Sequence, residues 1–282
     1  MKKNLLLVGA ADSIGVPYTK DNFDHKVFFE MIECTLANKY NVISINCFHM
    51  STNNDNKYID SFISNDISLL EIKNTQNKML KKCKYSGIYP YLELPKNFLN
   101  HYQINKDDAR VIVKDYIQKN ETIFIYSAFV NDLLKSKGLS LFKLLRPGKI
   151  KKELKKINVN SILYDIEKNI EKLININPNI EIYIIGLFVP TKISYIRKNV
   201  REFISSINDK FYTISEKYHN VFLINNDNLA IEDFNNIDFH PNRKGHKKIY
   251  NNFIKQYEKN KSCWASFLRG TRRGYIRTLK MS

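Results

Sequence analysis

The chain has only four cysteines in 282 residues, Cys34, Cys47, Cys83 and Cys263. None forms a C-x-x-C pair and none has a histidine at metal-ligand spacing, which excludes a disulfide framework or a zinc motif of the usual kinds. They read as reduced thiols, two of them in the core, in a cytoplasmic protein. Long apolar runs are also missing, so no segment is expected to span a membrane. The opening "MKKNLLLVGAADS" has the basic start of a signal peptide, but its short apolar run meets Asp12 at once and suits a first core strand better. No internal repeat is present. Acids are under-represented, with 28 Asp and Glu against 45 Lys and Arg, a formal charge of +17. Lysine makes up most of this excess and is scattered over presumed helix faces, alongside abundant Asn and Ile. That distribution reads as compositional background more than as a nucleic-acid surface.

Hydrophobic residues at 43% and aromatics at 12% describe a globular chain. Apolar β-branched runs alternate with longer amphipathic segments, the pattern of an α/β protein. Strands are expected at 4–11, 41–48, 121–129, 179–190 and 220–226. Helices are expected at 22–40, through most of 57–83, and at 106–119, 160–177, 194–218 and 243–259. Five strands with intervening helices imply a doubly wound sheet with its chemistry at the carboxyl ends of the strands. Residues 12–15, 48–53, 129–132, 187–192 and 234–240 then share one rim.

Three short motifs fall on that rim. "GAADSIG" follows strand one and offers the Ser13 hydroxyl. "FVND" follows strand three and offers the Asn131 amide. "DFHPN", after strand five, offers the His240 imidazole. A hydroxyl nucleophile, a base and oxyanion donors are the minimal set for acyl transfer. Each motif also has a plainer reading. Asp12 and Ser13 suit a helix cap, as do Asn131 and Asp132, and Asn242 suits the cap of the last helix. His246, one turn into that helix, reads as packing or surface, and His49 borders the rim.

Taken together, the motifs resemble the SGNH hydrolases, the GDSL-type esterase and lipase superfamily. "ADSIG" matches the first block with Ala11 at the usual glycine, "FVND" the third with Phe129 at the glycine, and "IDFHPNRKGH" the last. The resemblance runs from about residue 4 to 258. It implies a flavodoxin-like three-layer α/β sandwich whose central parallel sheet has about five strands, and an acyl-enzyme route needing neither metal nor organic cofactor. Ser13 would be the nucleophile and His240 the general base. The backbone N–H of Ser13 and the Asn131 amide would line the oxyanion hole, with Asp12 beside them. The second block normally supplies a glycine N–H. "NVISINCFHMSTNN" has no glycine, and alignment on Asn46 puts Ser51 there. The acid expected three residues before the histidine is replaced by Ile237. Asp238 lies one residue closer and is the candidate orienter, and Asp233 is further away. The reading is a serine esterase acting on an ester or acyl substrate, with acyl transfer to another acceptor and a non-catalytic binding protein of the same fold as rivals.

Two basic segments stand apart. Residues 134–156, "LKSKGLSLFKLLRPGKIKKELKK", suggest a lid or a surface for acidic or lipid-like substrates, against the plainer reading of a solvated amphipathic helix pair. Residues 261–282 form a basic tail beyond a domain spanning 1–260. From Cys263 onward the tail holds the sole Trp, carries Arg269, Arg272, Arg273 and Arg277, and has no acid. An anionic partner, docking on the domain and oligomerisation are all open for it. Nucleic acid is the weakest partner reading for the chain, and peripheral membrane contact stays open.

Overall fold

A computed structural model describes residues 3–9, 27–46, 63, 68, 70–71, 74, 112–118, 121–127, 150–188, 194–234 and 241–279. Five strands, β1 (Lys3–Gly9), β2 (Tyr40–Asn46), β3 (Thr122–Ser127), β4 (Glu181–Ile185) and β5 (Val221–Ile224), form one sheet in the order β2-β1-β3-β4-β5. Every neighbouring pair is parallel, with Gly9 level with both Asn46 and Ser127, and Ile185 level with Ile224. The strands fall where the apolar runs put them.

Those runs are continuous because both faces of the sheet are covered. Along β1, Leu6 and Val8 join one core with Phe124, Tyr126, Ile182 and Ile184. Leu5 and Leu7 join the other with Ile123, Ile125, Tyr183 and Ile185. The first core is closed by α2 (Val113–Gln118), α4 (Val159–Ile176) and α5 (Ser194–Lys217), the second by α1 (Phe28–Leu36) and α6 (Arg243–Leu279). This is the expected flavodoxin-like three-layer sandwich. The short α3 (Ile150–Leu154) ends the basic segment 134–156; Leu154 and Ile157 are buried in the first core while Lys151 and Lys152 are exposed. Residues 134–149 lie outside the described residues.

Buried asparagines tie loops to elements at both edges of the sheet. At the amino edge, Nδ2 of Asn4, Asn177 and Asn220 donates to the carbonyls of Tyr116, Ile117 and Ile180 at 2.7–2.8 Å. Cys34 is exposed. The closing helix departs from expectation in length, since α6 runs to Leu279 instead of ending near residue 259. Among the described residues no helix is long and apolar enough to cross a membrane.

Candidate active site

All five strands point the same way, so their carboxyl ends lie along one edge. β1 stands between β2 and β3. The connection after β1 runs to β2 on one side and the connection after β3 runs to β4 on the other, so the topological switch point, where ligands bind in open α/β sheets, lies between the carboxyl ends of β1 and β3. Asp12 and Ser13 follow β1 by a few residues, Ser51 follows β2 and Asn131 follows β3. These four, together with Asp238 and His240, lie outside the described residues, as does His49.

What is described is the frame around them. β4 exits through Gly186, Leu187 and Phe188. Asn208 on α5 clamps this exit with both ends of its amide: Oδ1 accepts from the Leu187 N–H and Nδ2 donates to the Leu187 carbonyl, each at 2.9 Å. Asn226, just past β5, donates to the Gly186 carbonyl at 2.9 Å and accepts from Asn252 of α6 at 3.0 Å. A Cβ on Gly186 would sit 2.7 Å from the Ile224 carbonyl oxygen, so only glycine allows this approach of β4 to β5.

After β5 the chain makes a 3₁₀ turn, Ile231–Asp233, and Phe234 pairs with Pro241 in an isolated antiparallel bridge. The bridge brackets residues 235–240. Asn242 fixes its far side: its N–H donates to the Asp233 carbonyl at 2.8 Å, and Nδ2 donates to the carbonyls of Glu232 and Phe234 at 2.6 and 3.1 Å. Its Oδ1 accepts from the N–H groups of Lys244 and Gly245, so Asn242 caps α6 as the sequence suggests. A Cβ on Gly245 would meet the Asp233 carbonyl oxygen at 2.3 Å, which explains the glycine of "HPNRKGH" by close packing. His246 is buried and stacked on Phe28 with ring centroids 5.8 Å apart, a packing role.

In the sequence Asp233 lies further from His240 than Asp238 does. It is 1% exposed, and Oδ2 accepts from the Ala230 N–H at 2.7 Å and from Lys248 Nζ at 2.6 Å. Its Oδ1 is buried without a hydrogen-bond partner among the described residues. Lys248, one helical turn past Lys244, was hidden among the many lysines. A cavity of about 290 Å³ opens beside this turn, walled by Leu187, Phe188, Ile204, Leu229 and Phe234, with Arg201 and Asp227 also lining it. Its only sequence signal was the expected rim range 187–192. Among the described residues no group of His, Cys, Asp and Glu is arranged to hold a metal ion.

A five-stranded parallel sheet in this order, with a helical layer on each face, defines the chain as an α/β protein of flavodoxin-like fold, a fold it shares with a solved lipase. The crystal structure of the lipase Lip_vut3 from a goat rumen metagenome has a TM-score of 0.52 and 12% identity, covering 90% of this chain and 97% of that one. An extracellular lipase from Streptomyces rimosus gives 0.49 and 9%, covering 88% and 96%. Axe2, an acetylxylan esterase from Geobacillus stearothermophilus, gives 0.45 and 10%, covering 90% and 93%. No protein-family model matches the chain, and no curated protein matches it by sequence.

Proposed function

We propose that the protein is a serine-dependent ester hydrolase acting at the carboxyl edge of the sheet. The observation that carries this reading is the strand order. The segments with Ser51, Ser13 and Asn131 leave three adjacent strands, while the segment with His240 is bracketed by the Phe234–Pro241 bridge beside the same edge. In the proposed reaction His240 takes the proton from Ser13 Oγ as that oxygen attacks the carbonyl carbon of the ester. Negative charge gathers on the former carbonyl oxygen and is met by donors from the Ser13 N–H, the Asn131 amide and the Ser51 N–H. The C–O bond to the alcohol breaks, and His240 returns its proton to the departing oxygen. Water, activated by His240, then attacks the acyl-enzyme and frees the acid and Ser13.

The cavity at the ends of β4 and β5 supports a short acyl group, because about 290 Å³ is at the lower limit of ligand pockets. The N–H of Ser51 is available whatever its side chain, so loss of the block-two glycine does not remove the donor. Acyl transfer to an acceptor other than water uses the same residues, and it is separated by adding alcohols or amines to the assay.

Fluorophosphonate labelling located by mass spectrometry tests the reading, with Ser13→Ala as control and p-nitrophenyl acetate as substrate. The expected result is labelling at Ser13 and hydrolysis that the alanine variant loses. Folded protein that neither labels at Ser13 nor hydrolyses the ester is instead the non-catalytic binding protein suggested by Ile237 and the missing glycines.

A further inference from the structure

The described core residues of α6, from Ile249 to Tyr257, all lie in its first half. Lys261 Nζ reaches Glu181 Oε1, at the first residue of β4, at 2.5 Å, so the helix is there level with the amino edge of the sheet. It nevertheless continues to Leu279, about 27 Å further at the α-helical rise.

Helical spacing sorts this extension into two sides. His246, Phe253 and Tyr257, all buried against the domain, start a stripe that continues at intervals of seven and four residues through Trp264, Leu268, Tyr275 and Leu279. Phe267 falls on the same side. Arg269, Arg273 and Arg277 recur every four residues on the opposite side, with Arg272 and Ile276 along one border. No acid occurs from Cys263 to the end of the chain. Gly270 and Gly274 each weaken a helix by about 1 kcal/mol relative to alanine. A helix so composed depends on a surface that takes its apolar side.

We propose that residues 263–279 form an amphipathic helix that lies on anionic lipid bilayers, apolar side in the interface and arginines among the headgroups. Segregation of the sides is the reason for choosing lipid. A stacking surface for nucleic acid needs aromatics and arginines on the same side, whereas an interfacial helix needs them apart, with Trp, Phe and Leu facing arginine across the axis. Charge argues against a second copy of the same stretch, since pairing two acid-free segments gathers eight arginines with nothing to neutralise them. This inference is independent of the chemistry proposed for Ser13.

The test uses the full chain and vesicles of phosphatidylcholine alone or mixed with about one quarter phosphatidylserine. Trp264 is the only tryptophan, so its emission reports this helix alone. With anionic vesicles the emission should shift to shorter wavelength and the protein should sediment, less so as salt rises; neutral vesicles should do neither. The R269Q/R273Q/R277Q variant should bind about a hundredfold more weakly, at roughly fivefold per basic residue. F267D/L268D should abolish the spectral shift, with circular dichroism and melting showing that both variants stay folded. The proposal is overturned by no response to anionic vesicles, by binding unchanged in the folded arginine variant, or by retention by a labelled single-stranded oligonucleotide without vesicle binding. A concentration-dependent dimer whose Trp264 emission ignores vesicles overturns it too.

Discussion

Asparagine is the residue that structures the candidate rim. A primary amide donates and accepts at once, so one side chain can satisfy both polar groups of a strand exit that water no longer reaches. Asn208 does this for Leu187 and Asn226 for the step from β4 to α6. Replacing Asn208 by alanine orphans a buried N–H and a buried carbonyl, and should cost about 2–6 kcal/mol at about 1–3 each, measured by urea denaturation. Gly245→Ala should cost about 1–3 kcal/mol by overpacking, because the added Cβ falls on the Asp233 carbonyl. Asp238→Asn should lower kcat/KM for an activated ester by at least tenfold while leaving fluorophosphonate labelling of Ser13 detectable, if this carboxylate orients His240. The asparagine clamps were not legible in the sequence. Asn is so frequent in this chain that its composition reads as background, and only burial distinguishes Asn208 from an exposed neighbour. The glycine of "HPNRKGH" was legible as a motif, but its cause, the approach of α6 to Asp233, was not.

At the scale of elements, periodicity carried the expectations well where packing is simple. β1 and β3 are apolar at every core position because helices lie on both faces, and their residue pattern alone announces a buried parallel strand. Strand order is different, because nothing in an apolar run specifies which neighbour it pairs with. Where sheet and helices meet at the amino edge, two phenols are buried. Tyr40 has its ionisation pushed above the ordinary 10.0 by burial and by its 2.8 Å hydrogen bond with Tyr257. Tyr183 is pushed up by burial and by the nearby Glu181 carboxylate. In the folded state both hold protons that the unfolded chain releases near 10.0. Their contribution is therefore fully present below that pH and lost as pH rises beyond it. Melting temperature should fall more steeply above pH 10.0 in the parent protein than in a Tyr40→Phe, Tyr183→Phe double variant. The cavity makes a further element-scale prediction. Leu229→Trp should narrow it and reduce hydrolysis of p-nitrophenyl butyrate about tenfold more than that of the acetate.

For the molecule as a whole, the net charge of +17 is best divided between its parts. On the domain, lysines meet carboxylates, as Lys217 does Glu167 and Glu171 and Lys261 does Glu181, and such partly exposed pairs contribute little to stability. The last twenty residues are basic and contain no acid of their own. Deleting residues 263–282 should therefore leave the melting temperature within a few degrees of the parent, since the described contacts of α6 with the domain lie before that point, while removing vesicle binding. The sequence by itself determined the five strands, the helices after β1, β4 and β5, the cap at Asn242 and the resemblance that nominates Ser13 and His240. Each of these depends on local patterns: alternation, helical spacing, or short motifs read within one segment. Tertiary structure decided the order β2-β1-β3-β4-β5, and with it which strand ends neighbour β1. It also decided the burial of Asp233 against Lys248 and the clamps of Asn208 and Asn226. These arise between residues far apart in the chain, where pairing is chosen by packing and by the need to satisfy buried polar groups. The final helix shows the boundary between the two. In the linear order its aromatics and arginines are interleaved, and only a continuous helix through Leu279 separates them onto opposite sides.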